Sequence, residues 1–214
     1  MKLRAFKLLY QAWWAGKYPT IPYNHIVQIG DPVLRLKAKA VDPSAIQEEP
    51  MKKLIARLCR LMKDSNTLSL SAPQVGVSLR VFAIQSPPRN KFKPVNLYDA
   101  RKMEHIPFQV WINPEMKILD YRKYIDEESC ESMKCFTADT SRYTKVLLTG
   151  LDHEGKEKAW EASGWSARIV QHEMDHLNGK FFIDIMEPHS LACSHWQVIN
   201  HKQGKIFVTY LPKK

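Results

Sequence analysis

The chain has 214 residues, 44% of them apolar and 25% charged, which is enough apolar material for one sizeable core. No apolar run reaches the ~18 residues that a membrane-spanning helix needs, so a soluble domain is expected. The net charge of +10 invites a nucleic-acid or ribosomal partner, but no nucleic-acid motif accompanies it. The excess reads only as an attraction to an anionic neighbour.

Residues 1–22 contain Lys2, Arg4, Lys7 and Lys17 and no acid; the first acid is Asp31. Leu3, Phe6, Leu9, Tyr10, Trp13 and Trp14 can share one apolar stripe at helical spacing. A basic, acid-free amphipathic start reads as an organelle-targeting presequence ahead of a domain over 23–214, with a basic surface helix as the alternative. Charge interrupts its apolar run, which excludes a secretory signal.

Gly30-Asp31-Pro32 makes a turn after the apolar stretch Ile26–Ile29. Residues 51–63 predict a helix with Leu54, Ile55, Leu58, Leu61 and Met62 on one face, Pro50 suiting its first turn and Cys59 falling in the core. Arg80 to Gln85 predicts a buried strand, ended by Pro87 and Pro88. A polar, basic loop then runs from Arg89 to His105, long enough to be mobile or functional. Gln109 to Ile112 predicts a strand ending at Asn113-Pro114, and Met116 to Tyr121 another.

Thr144 to Leu151 and Lys156 to Ala162 form a hairpin around Asp152-His153-Glu154-Gly155. After Gly164 a helical pattern carries Ala167, Ile169, Val170, His172, Glu173 and His176, and Gly179 stops it. Lys205 to Leu211 predicts a last strand. The sum is an α+β domain, antiparallel sheets packed around a central helix. Of the four cysteines, Cys59, Cys130, Cys135 and Cys193, none has C-x-x-C spacing, and disulfides are not expected.

His172 and His176 stand one helical turn apart on one face, so two imidazoles can bind one cation. Glu173 projects beside them and can take a proton from a metal-activated water. A catalytic metal needs a third protein ligand and one free position. Asp184, Glu187, His189, His195 and His201 lie downstream, none at metzincin spacing. Cys130, in Glu128-Ser129-Cys130-Glu131-Ser132, is the better candidate, because a thiolate is a strong ligand.

These residues resemble the peptide deformylase family over most of 24–188. The likeness rests on three motifs in order: Leu70-Ser71-Ala72-Pro73-Gln74, Glu128 to Ser132, and Gln171 to Leu177. Gly30 to Arg35 is similar to the family's start, and Ala162 to His176 to its animal mitochondrial branch. The resemblance implies hydrolysis of the formyl group from N-formylmethionyl nascent chains in the mitochondrial matrix. It implies one divalent metal, Fe(II) with Zn(II) or Co(II) as possible occupants. It makes Glu173 the proton shuttle, with the Gln74 side chain and the Glu131 backbone N–H as oxyanion donors. Leu68, Ser69, Trp165, Arg168 and Ile169 would line a slot for the methionine side chain. Arg142 would pair with Asp175 and steady the metal helix. Transient ribosome contact is a further expectation, and sequence-specific nucleic-acid binding is not.

Three positions depart from the family pattern: Thr67, Ser69 and Ser129 stand where it has glycine. Glycine allows backbone conformations and close approaches that a side chain hinders. Chemistry is therefore expected to survive with weakened or altered substrate fit, so that restoring glycine at 69 and 129 raises kcat/KM. Two other readings compete: a zincin-like peptidase that does not depend on Cys130, and a silent module that binds formylated N-termini.

Overall fold

The computed structural model describes residues 20–210. The apolar stripe from Leu3 to Trp14 lies outside the described residues. One antiparallel sheet dominates, with strands in the order β1-β2-β3-β4-β5 and a short β6 paired to β4. The strands are β1 (Ser69–Ser71), β2 (Val81–Ser86), β3 (Ile106–Ser129), β4 (Phe136–Leu151), β5 (Glu157–Ser163) and β6 (Ala192–Cys193). The helices are α1 (Glu49–Ser65), α2 (Val95–Ala100), α3 (Gly164–Leu177) and α4 (Trp196–His201).

Helix α1 forms where the apolar spacing places it. Pro50 sits in its first turn, and Asn66 ends it in the left-handed region at φ 53°. Met51, Leu54, Leu58, Leu61 and Met62 are buried against Leu70, Val81, Ala83 and Val110. Cys59 is exposed, which corrects its expected place in the core. At 3.6 residues per turn it is rotated about 100° from Leu58, off the buried face.

Strand β3 corrects the reading of two separate strands. Asn113 does not end it. It takes φ 50°, and its side-chain amide clamps Val41, accepting from its N–H at 2.7 Å and donating to its carbonyl at 2.8 Å. The register to β4 shifts between Ile112 and Glu115, so Asn113-Pro114 is a bulge in one strand, where a missing N–H is tolerated. The first half of β3 pairs with β2, the rest with β4. The hairpin of β4 and β5 is present, with β4 reaching upstream to Phe136.

The segment 89–105 is not a plain loop. It holds a 3-10 turn at Arg89–Lys91 and helix α2. Tyr98 and Met103 are buried and anchor it, and Arg89 pairs with Asp99 at 2.5 Å. No strand forms over 205–210. Chain from Glu187 onward instead makes β6 and α4, leaving Phe207 and Tyr210 exposed. No described helix is long and apolar enough to cross a membrane.

Helix α3 is the buried element. Ala167, Ile169, Val170, Met174 and Leu177 pack with Phe82, Ile84, Trp111, Val146 and Leu148 of the sheet. Gln171 locks it in register: its side chain donates to the Tyr143 carbonyl at 2.9 Å and accepts from the Tyr143 N–H at 3.0 Å. Gly179 follows at φ 71°, and the Arg35 carbonyl lies 2.7 Å from where its Cβ would be, so glycine is required on both counts.

Candidate metal centre

Cys130 stands just past the end of β3 and caps the 3-10 turn Glu131–Met133, its sulfur accepting from the Ser132 N–H at 3.4 Å. His172 and His176 lie on one face of α3. The ligand atoms of the three residues all fall within 4.8 Å of one another, and all three side chains are buried. The thiol sulfur is 3.2 Å from His176 Nε2, which is 3.1 Å from His172 Nε2. A thiol and two imidazole nitrogens converging at such separations form a donor set for one divalent cation, and they suit several ions.

The tautomer of His172 is set from behind. Its Nδ1 faces Glu128 Oε1 at 2.5 Å, which turns Nε2 toward the other two ligands. Glu128 is 6% exposed and carries more than this one partner. Arg142 donates to it at 2.7 and 3.1 Å, Thr140 at 2.7 Å and Arg168 at 3.3 Å. Burial opposes its charge, yet His172 and Arg142 together hold its carboxyl well below the usual range. Burial likewise opposes charge on His172, but Glu128 raises that imidazole well above its ordinary value. Burial and the neighbouring His172 push His176 the other way.

Glu173 is buried beside the side chains of Cys130, His172 and His176. Ser69 Oγ donates to its Oε1 at 2.6 Å, and its Oε2 has no partner among the described residues. Burial pushes the Glu173 carboxyl up, opposed by His172 and by the hydroxyls of Ser69 and Ser71. Gln74 is oriented by its own turn. Its Oε1 accepts from the Ser71 N–H at 2.9 Å, so Nε2 points to Ser132 Oγ at 3.1 Å and Cys130 Sγ at 3.5 Å.

A cavity of about 270 Å³ opens onto this cluster. Leu68, Ser69, Trp165, Arg168 and Ile169 all line it, as do Gln74 and Glu131. Arg168 differs from the others in where its charge goes: Nη2 donates to the carbonyls of Tyr124 and Thr140 at 2.9 and 3.1 Å, so the guanidinium ties β3 to β4. Arg142 Nη1 meets Asp175 Oδ2 at 2.5 Å. Arg101 also lines the cavity, with its guanidinium 4.0 Å from the Trp165 ring centre. Neither Arg101 nor the hub role of Glu128 was read from the sequence. Glu128 was visible only as a motif letter, and Arg101 carried no signal.

An α+β fold that brings one thiol, two imidazoles and a buried carboxylate together beside one cavity is an arrangement typical of metal-dependent hydrolases. The family described as polypeptide deformylase matches residues 23–191, and the chain belongs to that family. It is 39% identical over 183 residues to the mitochondrial peptide deformylase of Homo sapiens, covering 85% of this chain and 75% of that one. It is 38% identical to peptide deformylase 1A, chloroplastic/mitochondrial, of Arabidopsis thaliana, over 82% and 67% of the two chains. The fold is similar to the peptide deformylase of Thermotoga maritima, with TM-score 0.64, 31% identity and coverage of 78% and 99%. It is also similar to the Met-Ala-Ser-bound deformylase of Acinetobacter baumannii, with TM-score 0.67, 27% identity and coverage of 75% and 96%. The chain is a hydrolase that removes the formyl group from the amino terminus of nascent polypeptides.

Proposed function

We propose that Cys130, His172 and His176 hold the cation of this deformylase and that Glu173 moves the proton. The observation that carries the reading is the convergence of the three ligand atoms within 4.8 Å, beside a buried carboxylate with one unpartnered oxygen. A divalent cation bound there supplies Lewis acidity, lowering the pKa of water so that hydroxide is present near neutral pH. Glu173 accepts the proton of the attacking water and returns it to the amine as the C–N bond breaks. The Gln74 amide and the Glu131 N–H serve the developing oxyanion. Leu68, Trp165 and Ile169 offer apolar surface to the methionine side chain, and Ser69 and Arg168 complete the wall. Arg142 steadies α3 through Asp175 and, through Glu128, the ring of His172.

Fe(II) is taken as the native occupant, with Zn(II) or Co(II) as alternatives, and metal analysis of the purified protein decides among them. The mitochondrial relatives and the basic, acid-free residues 1–22 support a matrix protein whose presequence precedes the catalytic domain over 23–214. The excess of basic residues supports a transient contact with the ribosome.

Formate release from formyl-Met-Ala-Ser tests the reading. Glu173→Ala should lower kcat by about 10²–10⁴ while metal content stays at the wild-type level. Peptide fragments in place of formate would favour a peptidase, and tight binding without turnover a silent module. Either result would overturn the assignment.

A further inference from the structure

Glu173 has one oxygen held and the other bare. Oε1 accepts from the Ser69 hydroxyl at 2.6 Å, and Oε2 is buried without a partner among the described residues. Ser69 opens β1, where the ladder to β2 pairs it with Ile84, and Thr67 Oγ1 donates to its carbonyl at 3.2 Å. Its backbone is fixed on both sides. None of Thr67, Ser69 and Ser129 has a positive φ, so the local backbone does not need the glycines of the family motif. The nearby Ser71 hydroxyl donates to Gln74 Oε1 at 3.0 Å and bears on Glu173 less than Ser69 does. Ser69 is therefore more than an obstacle on the substrate path, because its hydroxyl is already engaged on the proton shuttle.

We propose that Ser69 is a positioning residue: its hydroxyl anchors Glu173 Oε1, so that Oε2 alone faces the cavity to take and return the proton. The proposal rests on the deformylase reading of Glu173. A carboxylate at the end of a three-torsion side chain has two equivalent oxygens until something distinguishes them. A charged O–H···O⁻ bond at 2.6 Å falls in the strong range, and a water-poor site strengthens it further.

In the step it serves, a water O–H bond breaks and its proton goes to Oε2 while the oxygen bonds the formyl carbon. The proton then moves to the amide nitrogen as the C–N bond breaks. The carbonyl electron pair, held on oxygen after the attack, re-forms the C=O bond as the amine departs. The second proton of the water passes to the amine, so that formate and an ammonium terminus leave and Glu173 is again a carboxylate. Oε1 neither gains nor loses a proton.

The test compares wild type with Ser69→Ala, Ser69→Gly and Ser69→Thr at equal metal content and equal Tm on formyl-Met-Ala-Ser. The alanine and glycine variants should lose about tenfold in kcat with KM held within about twofold, and threonine should restore kcat. A crystal structure of Ser69→Ala should show the Glu173 carboxylate rotated from its wild-type position. An unchanged or higher kcat in alanine and glycine overturns the proposal. So does a change in KM alone, which would make Ser69 a wall of the methionine slot and nothing more, and so does a threonine variant as slow as alanine. If wild type releases no formate, the deformylase reading of Glu173 falls by itself. The anchor is then decided by the crystal structure: a displaced Glu173 upholds it, and an unmoved one overturns it.

Discussion

Glu128 joins one prospective metal ligand to two arginines and a threonine. Removing one member of a buried charged set leaves its partners uncompensated, which is more harmful than never having built it. Glu128→Gln should weaken metal binding by about 10–100-fold, measured by competitive chelator titration at high pH, where no proton competes. In wild type the pH dependence follows from the raised pKa of His172. Below that value the metal-free site carries an extra proton on the imidazole, and an arriving cation must displace it. Affinity should therefore fall as pH drops through that range, by about tenfold per pH unit for each proton displaced, the imidazole's and that of the Cys130 thiol. The same titration run across pH checks this, and a flat profile would contradict it. The sequence made His172, Glu173 and His176 legible because helical periodicity puts them on one face. It left Glu128 without a role, because its partners lie 12 to 44 residues away in the chain, and the pairing of β3 with β4 together with the packing of α3 brings them to it.

At the level of elements, α1, β2, the hairpin of β4 and β5, and α3 were legible, since each carries an uninterrupted period or a strong turn signal. One error comes from tertiary contacts overriding local punctuation. Asn113-Pro114 looks like a stop until Val41 supplies a hydrogen-bonding partner for the amide. The segment 89–105 looks like loop because its helix, Val95–Ala100, is only six residues long, too short to show a helical period. The apolar residues at 206–208 alternate poorly and find no strand to pair with. Gly179, by contrast, was readable as a stop, and the structure adds a second demand through the Arg35 carbonyl. Gly179→Ala should destabilise the fold by about 2–4 kcal/mol, the sum of a left-handed backbone penalty and overpacking. Urea denaturation checks the value, and a loss below half a unit would show that the Arg35 segment yields freely.

For the molecule as a whole, the proposed cation would join the far end of β3 to α3, between residues 46 apart in the chain. A ligand that binds only the folded state stabilises it by mass action, about 2.7 kcal/mol at a hundredfold excess over Kd. For a chain of this size that corresponds to a rise in Tm of about 5–10 °C. Calorimetry with and without a chelator should show this shift, and Cys130→Ser should abolish most of it. Among the described residues the sheet has open flanks at β1, at β5, and at β3 from Glu115 to Ser129, which pairs with β4 on one side only. Strand β1 offers only three residues. Strand β5 carries Glu157, Lys158 and Glu161 along its length, with Lys145 paired to Glu161 at 2.6 Å. A second chain seeking to extend the ladder finds too little backbone at β1 and charges along both β5 and the open flank of β3, where Lys117, Asp120, Arg122, Lys123 and Asp126 stand. Crowded among newly made, still unfolded polypeptides, such a protein can handle extended chains without being recruited into their aggregates.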